Sequence, residues 1–159
     1  MTCQICCGDN IKKFLDLGET PTCDFLTESE IKYEKKYQLN LNYCNDCGLV
    51  QVGNPVNRED LFTPKTGYHH IAALSSSFRK HLDTLSHQTT EKFNLTDKDL
   101  MVEIGSNDGA LLESFKNQGV RILGVDPTDV TKIAIDKGLT TVRKWFDESV
   151  SEEIKGEYR

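Results

Sequence analysis

Apolar and polar residues alternate with a period of two near the start of the chain, and with a period of three to four in its middle. Phe14-Leu15-Asp16-Leu17 and Tyr37-Gln38-Leu39-Asn40-Leu41-Asn42-Tyr43 follow the first rule, which is how a half-buried strand separates its two faces. Leu49-Val50-Gln51-Val52 predicts one more short strand, ended by Gly53-Asn54-Pro55. Ile71, Leu74, Phe78, Leu82 and Leu85 then recur at helical spacing, while Ser75, Arg79 and Lys80 fall elsewhere on the wheel.

From Leu100 the pattern changes again. Leu100-Met101-Val102-Glu103-Ile104 and Val120-Arg121-Ile122-Leu123-Gly124-Val125 are apolar runs that end at Gly105 and Asp126, as buried parallel strands do. Helical stretches follow each, the first closed near Gly119 and the second spanning about 129 to 137 before Gly138, and Leu139-Thr140-Thr141-Val142 reads as a third strand. Strand, helix, strand, helix, strand is half of a doubly wound, Rossmann-type α/β sheet. The expected organisation is a small zinc-ribbon-like module over 1–60, a helical linker over 61–97 and the first half of an α/β domain over 98–159. The missing strands predict a fragment, its C-terminal remainder being the first partner required.

The net charge of −6 and the lack of a Lys/Arg stripe argue against binding nucleic acid or an anionic membrane. There is no apolar signal region and no run of membrane-spanning length. Thiols at metal spacing without an export signal predict the cytoplasm.

Cys3-Gln4-Ile5-Cys6 and Cys44-Asn45-Asp46-Cys47 are two C-x-x-C turns. Each aims two thiolates at one point, and two such turns make the tetrahedral sulfur cage that Zn²⁺ prefers. Disulfides or reduced core thiols are the bland alternatives. Gly8 and Gly48 follow the pairs and are expected to supply positive φ. A closed four-cysteine site leaves no position for substrate, so its role is structural. Cys7 and Cys23 read as ordinary thiols.

Glu103-Ile104-Gly105-Ser106-Asn107-Asp108-Gly109 lies between the first strand and first helix of the α/β part, where a cofactor turn belongs. The dinucleotide pattern G-x-G-x-x-G/A meets Asn107 where its central glycine should be. The pattern E/D-x-G-x-G-x-G of class I S-adenosylmethionine (SAM) methyltransferases matches at Glu103, Gly105 and Gly109, again with Asn107 in the middle slot. The residue types suit that ligand: Glu103 for the methionine ammonium, Gly105 and Gly109 for close backbone approach, Asp126 for the ribose hydroxyls and Pro127 for the adenine face. Ser106 and Asn107 complete the expected contacts. A turn that binds nothing, or another nucleotide, are the competing readings.

Together the two C-x-x-C turns, Leu15-Asp16-Leu17-Gly18 with Pro21, Cys47-Gly48-Leu49-Val50-Gln51, the Gly105–Gly109 loop and Gly124-Val125-Asp126-Pro127 resemble SAM-dependent C-methyltransferases of nucleotide-linked deoxysugars. The resemblance covers nearly the whole chain. It implies a zinc module, a SAM domain and a C-terminal domain, and a reaction in which a base forms an enolate beside a sugar ketone. The base is then expected beyond Arg159. The resemblance also gives Tyr68, with Ser75-Ser76-Ser77 and His81 nearby, as a substrate or SAM contact. His69-His70 and Thr22-Cys23-Asp24 depart from the family's pattern. His69 and His70 read as solvent-facing or helix-start residues, and His81 and His87 as surface residues. The competing functions are an NAD-dependent nucleotide-sugar oxidoreductase and a non-enzymatic zinc-ribbon adaptor.

Overall fold

The computed structural model describes residues 1–21, 26–61 and 70–158. Tyr68, His69 and Cys23 therefore lie outside the described residues. Contacts divide the chain into two compact units, Met1–Leu61 and Phe62–Arg159.

In the first unit, strands β1 (Ile11–Pro21), β2 (Lys36–Cys44) and β3 (Val50–Val52) form an antiparallel sheet in that order. Ile11 lies opposite Cys44, Leu15 opposite Leu41, and Tyr43 opposite Val50. β1 is longer than its apolar alternation suggests. It carries irregularities between Lys13 and Leu15 and between Asp16 and Glu19, and Gly18 turns the second with its N–H donated to Asp16 Oδ1 at 3.0 Å.

The alternation identifies the two faces of this sheet but not which of them is covered. Asn40, Asn42 and Gln51 are buried, while Tyr43, Val50, Val52 and Leu15 remain largely exposed. The polar face is covered by the N-terminal turn: Gln51 accepts the Gln4 N–H at 3.0 Å and donates to the Thr2 carbonyl at 3.3 Å. Asn42 Nδ2 donates to Met1 Sδ, and amides bonded in this way are tolerated inside.

The second unit contains α1 (Ser76–Phe93), β4 (Leu100–Ile104), α2 (Ala110–Lys116), β5 (Arg121–Val125), α3 (Thr131–Asp136), β6 (Thr141–Val142) and α4 (Glu148–Glu157). Its three strands are parallel, in the order β4-β5-β6. Leu112, Phe115, Val120, Ile122, Ala134 and Leu139 form the core. The chain is thus mixed α/β, with a small antiparallel sheet followed by a parallel one.

The helix expected from Ile71 starts later, because Ser75 caps it by accepting the Phe78 N–H. Ile71 is extended and Leu74 is 80 % exposed. Of the expected apolar face only Leu82 is buried. Polar pairs join α1 to α2 instead: Arg79 with Glu113, Ser114 with Asp83, and Gln118 with Ser86. Helix α4 is absent from the sequence reading; Asp147 caps it through the Val150 N–H. Among the described residues no helix is long and apolar enough to cross a membrane.

Candidate functional site

Two chemically distinct sites emerge, one in each unit. In the first, the Sγ atoms of Cys3, Cys6, Cys44 and Cys47 all lie within 4.8 Å of one another. The Cys3–Cys47 and Cys6–Cys44 separations are 3.5 and 3.6 Å. A tetrahedron with Zn–S bonds of about 2.3 Å has edges of about 3.8 Å, so the cluster fits that ion closely.

Each turn is closed by its own backbone. Cys7 N–H donates to the Cys3 carbonyl at 3.0 Å, and Gly48 N–H to the Cys44 carbonyl at 2.9 Å. The glycine expectation holds for Gly48, at φ +79, but not for Gly8. The equivalent left-handed residue of the first turn is Cys7, at φ +59. At Gly8 an added Cβ would sit 2.4 Å from Asp46 Oδ2, the end of an exposed side chain that would have to move aside.

The thiols of Cys3 and Cys6 are pulled in opposite directions. Backbone N–H groups of Cys6 and Ile5 bring the Cys3 thiol down to about 6. Cys6 is pushed up to about 12: the Gly8 N–H lowers it, but the neighbouring Cys3 and Cys44 sulfurs outweigh that. A divalent metal removes the conflict.

In the second unit, a cavity of about 440 Å³ opens at the carboxyl ends of β4 and β5, where open α/β sheets take ligands. Glu103, Gly105, Ser106, Asn107, Asp126 and Pro127 all line it. Gly109 stands behind them as the cap of α2 at φ +76, where a Cβ would meet Leu139 Cδ1 at 2.6 Å and Ala134 Cβ at 2.9 Å.

Two of the lining residues each carry a buried polar atom with no hydrogen-bond partner: Glu103 Oε2 and Ser106 Oγ. Burial, then the charges of Asp108 and Asp126, push the Glu103 carboxyl up to about 7. Asp126 is better satisfied. Its Oδ2 accepts the Asn107 N–H at 3.0 Å, and its Oδ1 accepts both the N–H and the hydroxyl of Thr128, at 2.8 and 2.5 Å. It therefore holds the glycine turn in shape and keeps spare acceptor capacity.

The side chain of Asn107 is directed at the backbone preceding α1. Its Oδ1 accepts the Ala72 N–H at 3.2 Å and its Nδ2 donates to the His70 carbonyl at 2.9 Å. His70 and Ala72 are themselves cavity residues, so His70 belongs to a wall that the sequence reading did not give it. Trp145, Phe146, Phe78 and Leu82 add an apolar side that was also missed. The aromatic pair just past β6 was the available signal. His81 is exposed and stacks against Phe78, with ring centroids 6.1 Å apart, and His87 is exposed.

Comparison with known proteins gives two findings. Residues 3–62 match a family described as "Putative zinc binding domain". Over 155 residues, 96 % of this chain, the sequence is 33 % identical to C-methyltransferase NovU of Streptomyces niveus. The chain spans about a third (36 %) of that relative's length.

Proposed function

We propose that this chain, whose matches are to a zinc-binding domain and to the N-terminal region of a C-methyltransferase, forms the SAM-binding part of such an enzyme. The observation that carries the reading is the buried, unpartnered carboxylate oxygen of Glu103, a residue that lines the glycine-turn cavity. An anionic acceptor kept from water needs a cationic or donor group, and the ammonium of a methionine tail is one. Ser106 Oγ is a second unpartnered polar atom among the lining residues.

Gly105, Ser106 and Asn107 would cradle the amino-acid end, and Asp126 would accept from the ribose hydroxyls. Pro127, with Trp145 and Phe146, would enclose the adenine, while Gly109 supports the turn from behind. When bound, SAM supplies a methyl group on a sulfonium. The parallel sheet is read as half of a doubly wound Rossmann-type domain. The cysteine cluster is read as a structural zinc ribbon, within the three-part division at 60 and 97. The acceptor is taken to be a carbon of a nucleotide-linked keto-deoxysugar, alkylated through its enolate. Tyr68 would contact the substrate or SAM, and the base lies past Arg159. The protein is assigned to the cytoplasm, with neither nucleic acid nor membrane as partner.

Calorimetric titration of the zinc-loaded chain with S-adenosylhomocysteine and, separately, NAD tests this reading. Saturable binding of the first alone is expected. Binding of NAD alone would replace it with the oxidoreductase reading, and silence for both would remove the cavity as a sufficient cofactor site.

The Glu103 carboxyl adds a pH signature. Its charge forms as pH rises through about 7, so affinity for the ligand's ammonium should fall about tenfold per unit below that. Stability runs the other way. A carboxyl pKa raised in the folded state stabilises below its unfolded value, and that contribution is lost as pH rises through about 7. Glu103→Gln should flatten the binding profile. It should also raise stability by about 3 kcal/mol at pH 8 but little at pH 4, below the unfolded value, measured by thermal denaturation at those two pH values. A parallel shift at both pH values would contradict the assignment.

A further inference from the structure

Asn107 occupies the slot where the SAM motif has a glycine, and its side chain points to a use for it. The residue sits at φ +51, a left-handed conformation that asparagine tolerates better than most residues. From there its amide makes the two hydrogen bonds that a strand's peptide group would make, to the His70 carbonyl and the Ala72 N–H. Asp108, wholly buried, adds a third: its Oδ2 accepts the Ala73 N–H at 3.0 Å.

We propose that Asn107 and Asp108 are positioning residues that latch His70–Ala73 to the glycine turn, so that this segment forms one wall of the cavity. Three consecutive polar links run from one loop to a stretch that has little apolar anchorage of its own. Ile71 and Ala72 are only partly buried, and Leu74 projects into solvent. The polar pairs between α1 and α2 hold the chain only from Arg79 onward. A glycine at 107 would keep the turn and lose the wall. As a contribution to ligand affinity, this rests on the SAM reading of the cavity. As a statement about the wall, it does not.

The test uses amide hydrogen exchange on the zinc-loaded chain, together with the emission of Trp145, its only tryptophan and a residue of the same cavity. In Asn107→Gly the Ala72 amide should exchange at least tenfold faster and Trp145 emission should move to longer wavelength. The Gly124 amide, bonded to the Thr140 carbonyl within the sheet, should keep its rate. Should Asn107→Gly disturb Gly124 as well, Ala72→Pro decides. It removes the donor from the other side of the latch and leaves the turn untouched, and it should shift Trp145 emission with the Gly124 rate retained. Unchanged Ala72 exchange in the glycine variant, or unmoved Trp145 emission in the proline variant, would overturn the proposal. Both variants should weaken S-adenosylhomocysteine about tenfold. If the unaltered chain binds none, the cofactor reading fails while exchange and emission still decide the latch.

Discussion

Stripping the metal, by chelator or by Cys44→Ser, is expected to unfold Met1–Leu61 outright. Among the described residues of that unit, the only buried apolar side chains are Cys3 and Cys44 themselves. The remainder of the interior is the amide layer of Asn40, Asn42 and Gln51, and such groups contribute little net free energy once their hydration is counted. A structural Zn²⁺ supplies on the order of 10 kcal/mol, more than the whole stability of a unit this small. Loss of zinc measured by atomic absorption should therefore coincide with loss of amide protection across β2. Phe62–Arg159 has its own core and should keep its helical circular dichroism. Retention of β2 protection after the metal is gone would show that the sheet stands without it.

Gly109→Val should come next in magnitude, and as a failure of folding rather than of binding. At φ +76 a β-branched residue is strained. Its Cβ would also fall 2.6 Å from Leu139 Cδ1 and 2.9 Å from Ala134 Cβ, both in the core beneath α2. Backbone strain of about 1–2 kcal/mol and overpacking of about 1–3 kcal/mol act together, so a loss of about 4 kcal/mol is expected. The measurement is urea denaturation followed by the circular dichroism of the second unit. A midpoint within error of the parent's would mean that the helix can shift enough to admit the side chain. Gly105 is the contrast, because nothing lies within 4 Å of the Cβ it lacks. Substitution there meets strain without a clash, and the smaller loss should fall on the turn.

These cases show where the sequence was informative. The cysteine cluster was readable because metal chemistry demands both the residue type and the spacing, and the two turns met as their spacing required. The parallel strands were readable because buried strands are continuously apolar, and Gly105 and Asp126 mark their ends.

Other features left no such trace. Alternation along β2 is symmetric, so nothing in Leu39-Asn40-Leu41-Asn42 says that the asparagines face inward. That choice is made by the N-terminal turn bonding to Gln51. The period of Ile71 and Leu74 matched a helix, but a single capping hydroxyl at Ser75 set the start beyond them. Asn107 stood out as a departure from two glycine patterns. Its partners, the His70 carbonyl and the Ala72 N–H, are backbone atoms more than thirty residues away, and backbone partners have no signature in sequence.

The pairing of Ile11 with Cys44 turns the antiparallel ladder into a calliper. It sets the gap between the two cysteine turns, and the period of two decides which face of the sheet Cys44 occupies. One residue added within β2 would rotate Cys44 to the far face and part the sulfurs, with every ligand still present. Two added residues would restore the face but displace the turn by about 7 Å, well beyond a metal's reach. Change of length between the cysteine pairs is thus tolerated between β1 and β2, or as a bulge of the kind β1 already carries between Lys13 and Leu15 and between Asp16 and Glu19. A sequence of this kind whose spacing differs, without such a bulge, within the stretch equivalent to Lys36–Cys44 should bind no metal, even with all four cysteines in place.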